Sequence, residues 1–384
     1  MDGHEKAATF ASDIGARKIS LTKDGEPTCN ASDYAQVPDH PRFFIGRIRQ
    51  GALSGNCSGG DWTLALFEMN PAGDNISFVR SILDLPSPIS DNGMLSGALD
   101  PSITKFNQRL WISFECHVSY GKKPGVKSCA GPFDFEKGID AAHVSVIAND
   151  RDIYPHEPNY YAALVPKIFS FEGKMYMYWD AVQIERKTGK WQSITTRGAQ
   201  LKIDRNGLIS VIGSNGAPIA AADPNLTVEV LGVDPNDPRS DRIADTFGVF
   251  PTKKNIFVTA ALGGTDRDSK NYCFKPSSPV EGCYRLSLFS TSSPLVPHTL
   301  NQHPVTPKLL DDHDLPANSG EYTRIVTGES GQLFLMGKYH AASTTAGRGS
   351  FLPEGYWRYP IELTNSKPGK QRSIFNRHRL NSNH

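Results

Sequence analysis

Short apolar segments alternate with turn residues along this chain, and the clearest example lies at residues 96–116. There the segment SGALDPSITKFNQRLWISFEC predicts a β-hairpin with a first strand over 101–106, a turn at 107–109 and an apolar return strand over 110–114. The pattern recurs at residues 165–180, where VPKIFSFEGKMYMYWD has the same order of strand, turn and strand. The two segments align without a gap, which indicates an internal repeat.

The alignment of these two hairpins separates shared positions from variable ones. It matches Val165 with Asp100, Pro166 with Pro101, Ile168 with Ile103, Phe171 with Phe106, and Asp180 with Glu115. The shared Pro, Ile and Phe positions predict a common backbone. Asp100 stands where its counterpart is Val165, and this difference between equivalent positions indicates a functional role for Asp100.

Three further segments follow the same plan, so the sequence predicts five units at a spacing of about 60 to 80 residues. The first unit contains residues 43–48 and 62–68, the fourth 244–262 and 284–290, and the fifth 320–340 and 355–363. Repeated hairpins of this kind predict an all-β fold, a five-bladed β-propeller in which radial sheets protect one another's edges. A pair of β-sandwiches is the alternative, but sandwiches do not predict hairpins that align residue for residue.

The repeats also suggest the domain organisation. We expect residues 1–41 to form an N-terminal arm or an outer strand laid against the first blade. Residues 42–366 should form a single propeller domain, because no linker interrupts the repeats. Residues 367–384 are polar and basic and should form a C-terminal tail.

Composition narrows the class of protein. The 384 residues are 38% hydrophobic and carry a formal net charge of +1 without a long run of one sign, which argues against a nucleic-acid partner. No apolar stretch approaches the length of a transmembrane helix, and the first residues lack a signal-peptide pattern. We therefore expect no membrane insertion, and we expect a monomer.

Six cysteines favour an exported protein. Sequential pairing would give three local disulfides, Cys29–Cys57, Cys116–Cys129 and Cys273–Cys283, although six cysteines permit many other connectivities. None of the spacings suits a zinc site. The sequence therefore predicts a secreted or periplasmic protein in its mature form, without its signal peptide.

Acidic residues fall at equivalent ends of the predicted hairpins. The start of the first strand and the end of the second lie at the same end of a hairpin, so Asp100, Glu115 and Asp180 should share one face of the disc. By the same argument Asp245 opens the inner strand of the fourth unit and Glu321 that of the fifth. Because inner strands line the central channel, these carboxylates should converge there. Glycoside cleavage needs two such groups, one to protonate the leaving oxygen and one to activate water or attack the sugar.

The unit GALDPSI…LWISFE, together with the repeat plan, resembles the blade opening of five-bladed propeller glycoside hydrolases, the clan of arabinanases, β-xylosidases, invertases and levansucrases. The motif-level resemblance rests on the Asp-Pro pair at Asp100 and on the inner-strand positions of Asp245 and Glu321. It implies a base in the first blade, an Asp in the second that tunes the acid, and a proton-donating Glu in the third. Here the first unit opens with RFFIGRI and the third with a Leu-Val pair, neither of them acidic. More distant furanosidases of the same fold, such as endo-acting D-arabinanases, therefore fit equally well.

Other side chains are candidates for substrate binding. Trp179, beside Asp180, is the best candidate for a sugar-stacking platform, whereas most of the other tryptophans are expected in the core. His117 and His340 each follow the second strand of a unit, so either could reach the channel. Three arginines near inner strands could bind an acidic sugar or pair with the carboxylates, namely Arg47, Arg49 and Arg324.

The sequence therefore predicts a glycoside hydrolase that acts on furanoside or pentose-rich glycans through Asp100, Asp245 and Glu321, with Asp180 and Glu115 in reserve. No cofactor and no metal ligands are expected, although a structural calcium in the central channel would be compatible with the fold. The main alternative is a non-catalytic propeller, a lectin or interaction platform, which would repeat the same polar residues in every blade. A sialidase would require an arginine cluster, a tyrosine nucleophile and turn repeats that the sequence lacks.

Overall fold

The computed structural model describes most of the repeats. The described residues are 17–27, 31–53, 56, 59–121, 125–148, 155–219, 223–233, 243–263, 274–275, 278–279, 285–305, 308–309, 320–339 and 355–363. Strands dominate them, and the predicted five-bladed β-propeller is confirmed. Within this part of the chain no helix is long and apolar enough to cross a membrane.

Blades 1 and 2 are antiparallel sheets whose first strand lines the channel. From the channel outward, blade 1 contains Ala31–Val37, His40–Arg49, Trp62–Met69 and Asn75–Ser81, with the short helix Gln50–Leu53 after its second strand. Blade 2 contains Met94–Phe106, Arg109–Ser119 and Gly125–Asp134, with Gly138–Ile139 and Ser145–Ala148 on its outer edge, Ser87–Pro88 beside its inner strand and the 3-10 turn Ala141–His143.

Blades 3 and 4 repeat this order. Blade 3 contains Asn159–Phe171, Lys174–Glu185 and Trp191–Ile203, with Ile209–Ile212 and Val228–Leu231 on its outer edge and Pro218–Ile219 beyond them. Blade 4 contains Ile243–Pro251, Ile256–Gly263, Arg285–Thr291 and Pro304–Val305. A separate pair of short strands, Phe274–Lys275 and Ser278–Pro279, precedes the third strand of blade 4.

Blade 5 closes the ring. It contains Gly320–Thr327, Leu333–Tyr339 and Gly355–Glu362, with Lys308–Leu309 on its outer edge. The N-terminal strand Arg17–Lys23 pairs with Gly355–Glu362 of blade 5 and runs parallel to Asn75–Ser81, the outer strand of blade 1. The short strand Glu26–Pro27 folds back and pairs with Arg17–Lys23. One strand therefore joins the first and last blades, and the inner strand of each blade contacts that of the next around the full circle.

Apolar side chains fill the boundaries between neighbouring blades. Separate buried clusters lie between blades 1 and 2, 2 and 3, 3 and 4, 4 and 5, and 5 and 1. Each sheet buries both faces against its neighbours, which explains the nearly continuous apolar runs of the second strands. The inner strands also bury polar and charged residues, among them Asp33, Asp100, Lys167 and Arg324.

The structure corrects the start of the first unit. The predicted first unit opens at residue 42, but the inner strand of blade 1 is Ala31–Val37, inside the segment expected to be an arm. Its sequence ASDYAQV has no apolar run, because a channel-lining strand buries polar groups such as Ser32 and Asp33. Arg17–Lys23 does lie along the outer strand of blade 1. Residues 367–384, the predicted tail, lie outside the described residues.

Candidate active site

One backbone irregularity recurs in four inner strands and orients the side chains of the site. The pairing between the inner and second strands skips two residues in blades 1, 2, 3 and 5, which forms a β-bulge. The first skipped residue has a left-handed backbone conformation in all four blades: Asp33 (φ 53°), Asp100 (53°), Val165 (49°) and Tyr322 (53°). The predicted match of Asp100 with Val165 is therefore confirmed in three dimensions.

The same register defines two more sets of equivalent positions. The residues paired with the one before each bulge are Arg47, Glu115, Asp180 and Lys338. The residues that resume pairing after each bulge are Ala35, Ser102, Lys167 and Arg324. The bulge therefore brings charged side chains from several blades to one level of the channel, and at every level the charges differ from blade to blade.

Asp33 is anchored from across the ring by Arg324. The Arg324 Nε lies 2.9 Å from Asp33 Oδ1, and its Nη2 donates to Asp33 Oδ1 and, at 2.6 Å, to the Pro101 carbonyl. One guanidinium thus joins blades 5, 1 and 2. Burial opposes ionisation of Asp33, but the charges of Arg324 and Lys167 outweigh it, and the pKa of Asp33 is lowered. Asp33 is completely buried, and its carboxylate contacts Arg324 rather than solvent.

Asp100 is held by Arg47. Arg47 Nη1 lies 2.9 Å from Asp100 Oδ1, and the guanidinium lies between two aromatic rings, 4.7 Å from the Trp62 centroid and 4.3 Å from that of Tyr322. Burial raises the pKa of Asp100 to about 6, with the charge of Arg47 opposing the rise and a hydrogen bond with Asp33 adding to it. Asp33 and Asp100 therefore form a carboxyl pair between blades 1 and 2.

Glu115 faces blade 3. Its Oε2 accepts the backbone N–H of Val165 at 3.3 Å. Burial, followed by the negative charge of Asp100, raises the pKa of Glu115 to about 8. At 8% exposure its side chain reaches further toward solvent than Asp33, Asp100 or Asp180. The β-branched Val165 is an unusual residue for a left-handed conformation, and here that conformation points its N–H at a carboxyl group.

A second carboxyl pair lies between blades 3 and 4. Asp180 Oδ1 accepts the Thr246 N–H at 3.0 Å. Burial, and then the charge and hydrogen bond of Asp245, raise the pKa of Asp180 well above its usual range. Each carboxyl group of this pair therefore disfavours ionisation of the other.

Lys167 lies among these acids without touching them. Its side chain is fully buried, and its Nζ has no hydrogen-bond partner among the described residues. Burial, followed by the charge of Arg324, lowers the pKa of Lys167, whereas Asp33, Asp100 and Asp180 oppose the shift. The amine therefore lies near carboxyl groups of three blades and influences them through its charge.

The structure brings together most of the predicted site residues. Asp100, Glu115, Asp180, Asp245 and Arg324 belong to the buried network described above. His117 lies two residues beyond Glu115 on the same strand, where its Nδ1 is 2.9 Å from Asp61 Oδ2 at the partly exposed rim. Of Glu321 only the backbone position in the inner strand of blade 5 is described, and His340 lies outside the described residues.

The structure contradicts the predicted role of Trp179. The sequence predicts a sugar platform beside Asp180, but Trp179 has 0% exposure and belongs to the core cluster between blades 2 and 3. Neighbouring residues of a strand point to opposite faces, so the residue next to a channel acid points away from it. The tryptophan at the site is Trp62, which stacks on the guanidinium that holds Asp100.

The sequence interpretation misses two members of the network. Asp33 is absent from it because its strand carries no apolar run, although the bulge register places it level with Asp100. Lys167 follows the aligned Val-Pro pair, inside a segment that the alignment treats as shared framework. A comparison of the positions immediately after each bulge would have found Lys167, because it is equivalent to Arg324, which the sequence analysis does name.

These residues do not suit a calcium ion. Calcium takes six to eight oxygen ligands, whereas the carboxyl groups here face Arg47, Lys167 and Arg324. Among the described residues no group of three or more histidines, cysteines or acids is arranged to hold a metal ion. A calcium site elsewhere in the channel stays a prediction.

No protein-family model and no curated protein sequence matches the chain. Among solved structures, a thermostable family-43 glycoside hydrolase is similar at 12% identity with a TM-score of 0.51, over 88% of this chain and 91% of that one. An α-L-arabinofuranosidase from Lactobacillus brevis aligns at 10% identity with a TM-score of 0.49, over 87% of this chain and 91% of that one. The first similarity shows a shared fold, so the predicted resemblance is confirmed at the level of the fold.

Proposed function

We propose that the protein is a glycoside hydrolase that cleaves furanoside or pentose-rich glycan linkages at the end of the channel where the acids converge. The observation that carries the proposal is the separation of pKa values between neighbouring carboxyl groups. The pKa of Asp100 is raised to about 6 and that of Glu115 to about 8. Between these values one group is ionised while the other is protonated, as acid–base cleavage of a glycosidic bond requires.

Glu115 suits the role of general acid. It keeps its proton at neutral pH, is more exposed than Asp33, Asp100 or Asp180, and accepts a hydrogen bond from the Val165 N–H. In that role its proton passes to the leaving oxygen as the glycosidic bond breaks. Asp100 suits the opposite role, as the carboxylate that activates water or attacks the sugar, because Arg47 stabilises its ionised form.

The remaining charges would position these two groups. Asp33 and Arg324 form a buried pair that reaches Asp100 through the Pro101 carbonyl and through the Asp33 carboxyl. Asp180 and Asp245 form a second buried pair, and their place in the network supports assistance to catalysis rather than proton transfer to substrate. Glu321 stays a prediction as a further carboxylate from blade 5.

The proposal extends to the setting of the enzyme. Export to an oxidising compartment is supported by the Cys116–Cys129 disulfide, one of the three predicted pairs. Cys29, Cys57, Cys273 and Cys283 lie outside the described residues. The proposed enzyme acts without a cofactor and as a monomer, with an oligo- or polysaccharide as its substrate.

The test is hydrolysis of arabinans, xylans and fructans by the wild type and by two variants, Asp100→Asn and Glu115→Gln. Each variant should lose about 10²- to 10⁴-fold in kcat/KM with its circular dichroism spectrum unchanged. Glu172→Gln, at an exposed turn of blade 3, is the matched control and should retain full activity. Full activity in both active-site variants would refute the site assignment. A folded wild type that binds glycan at several equivalent sites and hydrolyses none would support the lectin alternative.

A further inference from the structure

A cavity of about 490 Å³ lies on blade 3, at the same end of its strands as the acids. Its walls include Tyr160, Tyr161, Gln183, Arg197 and Asn225. Tyr161 pairs with Gln183 across the first two strands of the blade, and the same two strands carry Leu164 opposite Asp180. Three residues separate Asp180 from Gln183, which corresponds to about 10 Å at the rise of a strand.

The cavity lies along the boundary that Glu115 also faces. Side chains alternate between the faces of a strand, so Tyr161 and Gln183 share a face with Ala163 and Ala181. Those two alanines belong to the core cluster between blades 2 and 3. Glu115 of blade 2 contacts the Val165 N–H at the inner end of this boundary, and Tyr161 is four residues earlier on the same strand, about 13 Å away.

The walls combine an aromatic ring with hydrogen-bonding groups on a fixed floor. Tyr161 and Gln183 are half-buried and Asn225 is exposed, and all three side chains line the cavity. The Gln183 Oε1 also accepts a hydrogen bond from Ser193 Oγ at 3.3 Å. Arg197 forms the floor, where its Nε donates to Thr227 Oγ1 at 2.9 Å and its Nη2 to the Thr227 carbonyl at 2.6 Å. An aromatic ring beside amides matches a sugar, which has an apolar C–H face bordered by hydroxyl groups.

We propose that this cavity, lined by Tyr161, Gln183 and Asn225, is a distal subsite that binds a sugar unit of the same glycan chain, remote from the cleaved bond. The inference rests on the proposed function and deepens it, because it makes the substrate a chain long enough to reach from Glu115 to Tyr161. Such an enzyme binds polymers more tightly than short oligosaccharides.

The test compares a long and a short substrate. Kinetics are measured on linear arabinan and on an arabinotriose, and on xylan and xylotriose, with the wild type, Tyr161→Ala and Gln183→Ala. Tyr161→Ala should raise KM for the polymer roughly tenfold, because an aromatic anchor is lost, and should change kcat/KM for the trisaccharide less than about twofold. Gln183→Ala should act in the same direction with a smaller effect. Tyr120→Ala is the matched control, an exposed tyrosine at the rim of blade 2 that does not line the cavity.

Three outcomes decide the proposal. A selective loss on the polymer supports it, whereas equal losses on both substrates, or no loss on either, would overturn it. If the wild type hydrolyses neither glycan, binding of the two polymers is measured by calorimetry. Binding by the wild type that is lost in Tyr161→Ala then supports sugar binding in this cavity but contradicts hydrolysis of these two glycans, and the absence of polymer binding by the folded wild type refutes the subsite.

Discussion

The inner hairpins of blades 2 and 3 have the same strand register and the same left-handed bulge, yet the bulge carries Asp100 in one and Val165 in the other. Two residues later the chain places Ser102 in blade 2 and Lys167 in blade 3. Opposite the bulge both blades carry an acid, Glu115 and Asp180. The bulge is therefore a property of the architecture, and the side chains placed on it determine the chemistry.

The difference also shows that residues of blade 3 influence the acids of blade 2. Val165 contributes no side-chain chemistry, but its strained backbone directs an N–H to Glu115 of blade 2. Lys167 supplies charge near Asp100 without a direct hydrogen bond. Blade 2 thus carries the proposed reacting groups, and blade 3 supplies the donor and the charge that set their protonation.

The largest expected effect is a difference in activity loss between variants of the two equivalent acids, Glu115 and Asp180. Glu115→Gln should lower kcat/KM by about 10²- to 10⁴-fold, because the proposed proton donor is lost. Asp180→Asn should cost no more than about tenfold, since Asp180 is almost completely buried and bonds to Thr246 of blade 4. Steady-state kinetics on the best polymer measure both values. Equal losses in the two variants would mean that the blades do not differ in role.

A second difference between the blades is covalent. Cys116 and Cys129 link the second and third strands of blade 2 over a separation of 13 residues, and blade 3 has alanine at position 181, the equivalent of Cys116. Replacement of both cysteines by alanine should lower the free energy of unfolding by about 3 kcal/mol, because the unfolded chain regains the entropy of that loop.

Urea titration followed by fluorescence measures this change. The control is Ser214→Ala, which removes an oxygen from an exposed turn of blade 3 and should leave the urea midpoint unchanged. A double cysteine variant as stable as the wild type would show that the strand pairing alone holds blade 2 together.

Sequence reasoning predicted the register but only part of the site. The gap-free match of Val165 with Asp100 and of Asp180 with Glu115 is sufficient to predict which positions are equivalent and that the acids lie at a common end of the hairpins. The sequence analysis is wrong where a side chain points to the other face of its strand and where a buried strand is polar. The sequence analysis proposes Trp179 as a sugar platform at the site of Asp180, although adjacent strand residues point to opposite faces. It also does not identify the polar segment Ala31–Val37 as the inner strand of blade 1.

The protonation of the acids could not be predicted from sequence for a different reason. It depends on burial and on charges from other blades, such as Arg324 of blade 5 reaching Asp33 of blade 1. Residues so far apart in sequence carry no local pattern that relates them. The need for glycine at position 248 also depends on a residue from another blade. A Cβ there would lie 2.9 Å from Arg324 Cγ, and only the fold reveals that the two residues are close.

The charge supplied by blade 3 should appear in the pH profile. With the pKa of Asp100 at about 6 and that of Glu115 at about 8, kcat/KM should be bell-shaped between these values. Lys167→Met removes a positive charge that lowers both pKa values. Both limbs should therefore move to higher pH, the acid limb by about one unit.

The control for that shift is Lys105→Met in blade 2, where an exposed lysine pairs with Asp39 at 2.6 Å on the surface. It should leave both limbs in place, because solvent screens its charge. A Lys167→Met enzyme with the wild-type profile would show that the buried amine is neutral and has no influence on the acids.

The smallest expected effect concerns the bulge itself. Asn tolerates a left-handed backbone better than a β-branched residue does, so Val165→Asn should relieve strain and stabilise the protein by on the order of 1 kcal/mol, reduced by whatever apolar packing the half-buried valine provides. Val79→Asn, at an exposed position of the outer strand of blade 1, is the control and should be neutral or slightly destabilising. The comparison is made by urea midpoint. If Val165→Asn were the less stable of the two variants, packing rather than backbone strain would explain why blade 3 keeps valine where blade 2 has its proposed catalytic aspartate.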